Sequence, residues 1–137
     1  MQRLLVAVSV VLLTVACQSP DPRRAVAEEF IDRLFVVIDQ HAARELAVGL
    51  AVEKLDEEIR LKGDETIDEG TRQPRVTYAL LEQRDGSGDD TASLVYELRV
   101  APDGAERFDR HLMLTLRRFE GAWQVANYTL ATPAASD

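Results

Sequence analysis

The sequence predicts an α+β domain with helices in its first half and an antiparallel sheet in its second half. Between about residues 24 and 62, apolar residues recur at three- and four-residue steps, which is typical of amphipathic helices. From residue 75 onward, apolar and polar residues alternate in stretches separated by short turn-forming segments. Helices followed by consecutive strands favour an architecture in which one face of the sheet packs against the helices.

The first predicted helix begins at Asp21, which can cap it, with Pro22 at its first helical position. Its apolar face consists of Ala27, Phe30, Ile31, Leu34 and Ile38. The opposite face carries charged residues, namely Glu28, Glu29, Asp32 and Arg33. The polar stretch 39–41 is expected to break or bend this helix.

A second helical stretch is predicted over about residues 42–62, with Gly49 as a point at which it can divide into two short helices. Its apolar residues at helical spacing are Val48, Val52, Leu55 and Ile59, with Leu46 and Leu50 alongside. Gly63 is a plausible stop, and residues 63–74 are polar and typical of a loop.

Four strands are predicted around residues 75–80, 93–100, 108–117 and 123–130. The segments between them are short and rich in Gly, Asp and Pro, so the strands should form an antiparallel meander. The face expected to pack against the helices consists of Tyr78, Leu80, Leu94, Tyr96, Leu98, Leu112, Leu114, Leu116, Trp123 and Val125.

The N-terminus has the features of an export signal. Arg3 precedes an uncharged, mainly apolar run over residues 4–16, and a polar, proline-containing segment follows at 18–22. The run of 13 residues is short for a permanent membrane span, which needs about 20.

The segment Leu13-Thr-Val-Ala-Cys17 resembles the lipobox of bacterial lipoproteins. The resemblance implies cleavage before Cys17 and a thioether link from its sulfur to diacylglycerol. Thr14 departs from the pattern, in which an aliphatic residue is usual there. The alternative is an ordinary cleaved signal peptide with an incidental cysteine. Gln18, where the enterobacterial scheme uses Asp for inner-membrane retention, implies the outer membrane, facing the periplasm.

The predicted organisation has four parts. They are a signal peptide over 1–16, a lipidated cysteine and tether over 17–23, one globular domain over 24–131, and a disordered tail over 132–137. Cys17 is the chain's only cysteine, so no intramolecular disulfide can form and the core alone must hold the fold.

The order of elements resembles the NTF2-like, or cystatin-like, superfamily of cone-shaped α+β domains. The resemblance is carried by the opening helix 25–38, the small-residue helix 42–61, the four strands and the closing hairpin 117–125. It implies helices packed on a curved sheet around a possible cavity. The fold hosts both enzymes and non-catalytic modules, so it does not choose between them.

The charge of the chain disfavours nucleic-acid partners. The net charge is −8, and removal of residues 1–16, whose only charged side chain is Arg3, makes it −9. Affinity for phosphate backbones depends largely on Lys and Arg, and no basic run is present.

Few residues of the chain are candidates for catalysis. His41 lies at a predicted helix end and His111 on the predicted outer sheet face, and their spacing does not suggest a metal site. No cofactor motif is present, and no cofactor is expected. The residues that could line a cone cavity are Tyr78, Tyr96, Arg110 and Trp123. An inward Arg110 could bind an anionic ligand, but the favoured alternative is that its long side chain extends to the edge of the sheet. The leading hypothesis is a non-catalytic module for ligand or protein binding in the cell envelope; the alternative is an isomerase- or dehydratase-like enzyme using the cone pocket.

The outer face of the predicted sheet is less polar than a solvated face requires. Its apolar residues include Leu81, Val95, Met113 and Ala126, with Ala79 in the same phase. NTF2-like domains often dimerise through this face, so a homodimer or a docked envelope protein is expected there.

Overall fold

The computed structural model describes residues 20–62 and 73–134. The helical elements are α1 (Pro22–Ile31), a π-helical turn (Asp32–Val36), α2 (Gln40–Arg44) and α3 (Leu50–Lys62). The strands are β1 (Arg75–Asp85), β2 (Thr91–Ala101), β3 (Phe108–Phe119) and β4 (Ala122–Ala131). They form one antiparallel sheet in the order β1-β2-β3-β4. The predicted α+β class and antiparallel meander are confirmed.

The start of α1 matches the prediction, but its end does not. The Asp21 carboxylate accepts a hydrogen bond from the Arg23 backbone N–H at 3.0 Å, and Pro22 occupies the first helical position. The helix was expected to continue to Ile38. Instead α1 passes into the π turn, where Val37 N donates to Asp32 O at 2.8 Å, and Ile38 has a left-handed φ of 60°. The wider turn shifts the side chains that follow it, and Ile38 lies outside the helix.

The second helical stretch divides as predicted, with Gly49 at a φ of 56° between α2 and α3. The buried face differs from the predicted one. It consists mainly of small residues, namely Ala43, Ala47, Ala51 and Leu55. Val48, Val52 and Ile59 are only partly buried. Alanine side chains allow the backbone to approach the sheet closely, so the larger β-branched residues lie at the margin of the contact.

Two bulges interrupt the strict alternation of the strands. In β1 the register shifts between Leu80 and Glu82, and in β4 it shifts beside Thr115 and Leu116 of β3. A bulge inserts one residue and reverses the side-chain phase beyond it. The reversal turns Tyr128 inward, where it pairs with Leu114 and is 7% exposed.

The core lies between the helices and the sheet and contains the central β2 and β3 residues expected from the sequence. These are Leu94, Tyr96, Leu98, Leu112, Leu114 and Leu116, all at most 1% exposed, with Val125 of β4. Tyr78, Leu80 and Trp123 were also expected in the core, but they are only partly buried. For β1 the reason is coverage: the π turn packs against that strand, and the start of α1 contacts only its end, through Gln83 and Asp85. Trp123 lies near the end of the sheet, one residue into β4.

The free edge of β4 is partly covered by the connection between α2 and α3. Val125 N donates to Leu46 O at 2.8 Å, and Val48 N donates to Val125 O at 2.9 Å, which forms a short parallel bridge. Within the described ranges, none of the helices is both long enough and apolar enough to span a membrane.

Candidate functional site

Three polar side chains meet where the π turn approaches β1, beside the inner face of β2. The Tyr78 hydroxyl donates to Asp32 Oδ1 at 2.9 Å. The rings of Tyr78 and Tyr96 are arranged edge to face, with their centroids 6.0 Å apart. Tyr78 pairs with Leu98 and Tyr96 pairs with Leu80, so the two tyrosines are diagonal neighbours on one face of the sheet. We call Asp32, Tyr78 and Tyr96 the tyrosine cluster.

The sequence analysis did not identify Asp32 as part of a site, because it placed this residue on the charged face of the first helix. Asp32 directly follows the buried Ile31 and is itself partly buried at the margin of the apolar stripe. Tyr78 reaches this margin from β1. An acidic residue bordering an apolar stripe was the available signal, but only the π turn and the position of β1 reveal its partner. Single π turns inside helices occur frequently at functional sites.

The Tyr96 hydroxyl has an unmet hydrogen bond. Tyr96 is 0% exposed, and its hydroxyl oxygen finds no partner among residues 20–62 and 73–134. A buried polar group without a partner costs about 1–3 kcal/mol, so native structures usually supply one. Asn127 Oδ1 is likewise buried and unpartnered, but Asn127 pairs with Thr115 and belongs to the outer face.

Both tyrosines of the cluster are neutral at physiological pH. Burial, followed by the hydrogen bond to Asp32, raises the pKa of Tyr78 to about 12. Burial raises the pKa of Tyr96 far above its ordinary value, and the negative charge of Glu28 adds to this effect. A phenol that resists deprotonation can donate or accept a hydrogen bond, but it is a poor general base.

The other two residues predicted to line a cone cavity lie elsewhere. Arg110 has the inward phase, but, as in the alternative given for it, its side chain extends to the sheet edge: the guanidinium stacks over the Phe108 ring at 4.5 Å and donates to Asp109 O at 2.9 Å, where β3 begins. The long side chain thus turns outward to solvent, as a charged group requires. Trp123 lies near the opposite end, where β3 turns into β4. The structure brings together only Tyr78 and Tyr96 of the four predicted residues.

The histidines do not meet. His41 is exposed on α2, and His111 lies on the outer sheet face opposite Glu97. In the described part of the chain, no three His, Cys, Asp or Glu side chains come together in a group that could hold a metal ion.

The predicted dimer face is partly contiguous. Val95 and Met113 pair directly across β2 and β3 and point away from the helices, and Met113 is 51% exposed. Leu81, also 51% exposed, lies at the β1 bulge beside the pair formed by Glu82 and Val95. Ala126 is the extra residue of the β4 bulge and lines the same surface as Thr115 and Arg117. We call Leu81, Val95 and Met113 the outer-face patch.

The predicted lipid-attachment residue, Cys17, and the predicted signal peptide lie outside the described residues.

Comparisons with known proteins find similarity in structure but not in sequence. No protein-family model matches the chain, and no curated protein sequence matches it significantly. A designed NTF2-like protein superimposes with a TM-score of 0.50 and 15% identity over 79% of this chain and 95% of that protein. The intermembrane-space region of the chloroplast protein ARC6 gives a TM-score of 0.47 and 12% identity over 85% of this chain and 100% of that one. The similarity to the designed protein, together with three helices packed on a four-stranded curved antiparallel sheet, shows that this chain has the NTF2-like α+β fold.

Proposed function

We propose that this chain is a bacterial lipoprotein whose NTF2-like domain is a non-catalytic binding module of the cell envelope. The lipid on Cys17 holds the domain at the membrane, on the periplasmic side of the outer membrane. The tyrosine cluster receives a small ligand that has both apolar surface and a carbonyl or hydroxyl group.

The tether rests on the arrangement of the first 22 residues. An apolar run ends in Ala16 and the only cysteine of the chain, and a polar segment follows directly. A lone thiol in an oxidising compartment is a liability unless it is used. Lipidation consumes this thiol, because its sulfur forms the thioether bond to diacylglycerol.

The binding role rests on one observation, the buried Tyr96 hydroxyl without a partner. A ligand oxygen that accepts or donates one hydrogen bond there removes the penalty of the unmet bond. Tyr78, Leu80 and Val76 are only partly buried on the neighbouring strand and supply apolar surface beside it. Of the described helical elements, the π turn lies against β1 and α1 lies against β2.

We favour binding over catalysis because the one carboxylate of the cluster, that of Asp32, is already engaged with Tyr78. Both phenols have raised pKa values, and the Asp32 carboxylate already accepts the Tyr78 hydroxyl. An isomerase or dehydratase must remove a proton with a base of suitable pKa in contact with the substrate. In our proposal a bound ligand is therefore recovered unchanged.

The outer-face patch is proposed to bind a second copy of the chain. Two of its side chains, Leu81 and Met113, are about half exposed although both are apolar. A symmetric contact between two such faces places the same residues of both protomers against each other.

The tether is tested by replacing Cys17 with Ser in the full-length protein and separating soluble from membrane fractions. Each buried acyl CH₂ contributes about 0.8 kcal/mol to membrane binding, so loss of all acyl chains should release the protein. Thr14→Leu is the matched control, since it restores the usual lipobox residue and should leave the protein in the membrane. If Cys17→Ser stays in the membrane fraction after a high-salt wash, the anchor is elsewhere.

The binding role is tested by extracting small molecules that copurify with the native protein and identifying them by mass spectrometry. Tyr96→Phe should lose the copurifying molecule, whereas Tyr128→Phe, which also removes one buried phenolic hydroxyl, should retain it. Equal recovery from both variants would remove Tyr96 from the site. Conversion of the identified molecule on incubation would support the enzyme alternative.

A further inference from the structure

One end of the domain collects the start of α1 and two strand turns, and we call it the anchor end. It consists of residues 21–23, the β1–β2 turn at 85–91 and the β3–β4 turn at 119–122. The Asp21 carboxylate accepts from Gln83 Nε2 at 2.8 Å, and Arg23 forms an ion pair with Asp85. These contacts hold the beginning of the helix against the end of β1.

The β3–β4 turn presents an exposed aromatic side chain at the anchor end. Glu120 and Gly121 have φ values of 50° and 80°, as in the tight two-residue turns that join antiparallel strands. The turn leaves Phe119 59% exposed at the tip. Next to it, the Trp123 ring has the guanidinium carbons of Arg23 and Arg118 at 6.0 Å and 5.6 Å from its centroid. Tryptophan is enriched where protein meets the boundary between headgroups and acyl chains.

The proposed anchor is close to this end of the domain. Cys17 lies four residues before Asp21, and a chain spans at most about 3.6 Å per residue, so the lipidated sulfur is within about 15 Å of the start of α1. A lipid on Cys17 therefore keeps the anchor end within the thickness of the headgroup layer or just above it. This step rests on the proposed lipidation.

We infer that the anchor end rests on the bilayer, with Phe119 inserted at the boundary between headgroups and acyl chains and Trp123 at headgroup depth. The partner is the lipid surface itself. β3 has an exposed phenylalanine at each end, Phe119 at the anchor end and Phe108 at 39% exposure at the other. The strand extends for about 35 Å between them, so Phe108 lies well beyond the headgroups.

Electrostatic attraction is not required for this contact. Arg23 is paired with Asp85 and Arg118 lies 3.4 Å from Asp90, while Asp21, Asp89 and Glu120 leave this end with more acidic than basic side chains. The contact should therefore form on zwitterionic lipid, whose surface has no net charge for salt to screen, and should change little with salt.

Trp123 is the only tryptophan of the chain and reports the contact without a label. The experiment reconstitutes the lipidated full-length protein, purified from membranes, into phosphatidylcholine vesicles that contain lipids brominated near the headgroup or near the end of the acyl chain. Trp123 fluorescence should be quenched by the first lipid, less by the second, and equally at low and high salt.

The matched variant moves the reporter to the opposite end of β3 by combining Phe108→Trp with Trp123→Phe. Its fluorescence should not be quenched by either lipid, and circular dichroism checks that it folds. Wild-type protein that floats with the vesicles but shows no quenching would overturn the orientation while leaving the anchor intact. Quenching in the Phe108→Trp, Trp123→Phe variant equal to that in the wild type would also overturn the orientation while leaving the anchor intact. Protein that carries no lipid and does not float would overturn the anchor and the inference with it.

Discussion

The change Tyr96→Phe should stabilise the ligand-free protein, although it removes a polar group that could form a hydrogen bond. Tyr96 is fully buried, and its ring keeps its edge-to-face contact with Tyr78 after the change. Removal of an unpartnered buried hydroxyl removes a desolvation penalty of about 1–3 kcal/mol that no hydrogen bond compensates. The void it leaves, about 15 Å³, costs only about 0.4 kcal/mol at about 24 cal/mol per Å³. The net gain in the free energy of unfolding is about 0.6–2.6 kcal/mol.

The control is Tyr128→Phe, which removes a buried hydroxyl that does have a partner. Tyr128 donates to Glu58 Oε1 at 2.9 Å, so its loss should lower stability by about 1 kcal/mol or more. Urea denaturation of the protein lacking residues 1–17 measures the free energy of unfolding of both variants. In thermal denaturation, a gain of 1 kcal/mol raises the melting temperature by about 4 °C in a domain of this size. If Tyr96→Phe is destabilised as much as Tyr128→Phe, the Tyr96 hydroxyl has a partner and the argument for an unmet hydrogen bond fails.

Three further predictions concern the core, the acid stability and the assembly. Leu114→Ala should lower the free energy of unfolding by about 2–5 kcal/mol, because Leu114 is fully buried; a change below 1 kcal/mol in urea denaturation would place it outside the core. Hydrogen bonding to Arg23 holds the pKa of Asp21 well below its ordinary value, so the ionised carboxylate stabilises the fold at neutral pH. This stabilisation is lost as the pH falls below about 4. Asp21→Asn should therefore flatten the dependence of unfolding free energy on acid pH, and an unchanged pH profile would contradict this role of Asp21. Val95→Lys combined with Met113→Glu should preserve circular dichroism but shift the domain to a smaller species in sedimentation. A wild type that is already a monomer at high concentration would contradict the proposed dimer.

Much of the fold follows from local sequence signals. Apolar alternation located the four strands, and turn residues fixed their order. Asp21 with Pro22 placed the first helix start, and Gly49 placed the division between α2 and α3. Each of these signals acts through neighbouring residues, so it is visible without the tertiary structure.

The predictions made from the sequence are wrong where tertiary packing overrides local periodicity. The helix was extended to Ile38 because a constant helical period was assumed, whereas the π turn ends that period at Asp32. Tyr128 reaches the core only through the β4 bulge, which alternation alone does not reveal. Trp123 fits the inward pattern but lies too close to the sheet end to be fully covered.

The candidate site was predicted only in part for the same reason. Tyr78 and Tyr96 were identified because strand phase decides which face a side chain occupies. Arg110 has the inward phase as well, but phase does not say that it lies at the open end of the sheet, where a guanidinium turns to solvent. The Asp32 partner depends on which helix margin faces β1, and that depends on the packing of the whole domain.

The most direct test of the proposed function is the mass and N-terminal chemistry of the native protein extracted from membranes. Our account predicts a mature chain that begins at Cys17 and carries a thioether-linked diacylglyceryl group, detectable in the intact mass and in the N-terminal peptide. A mature chain that begins at another residue, or an unmodified Cys17 thiol, would contradict it.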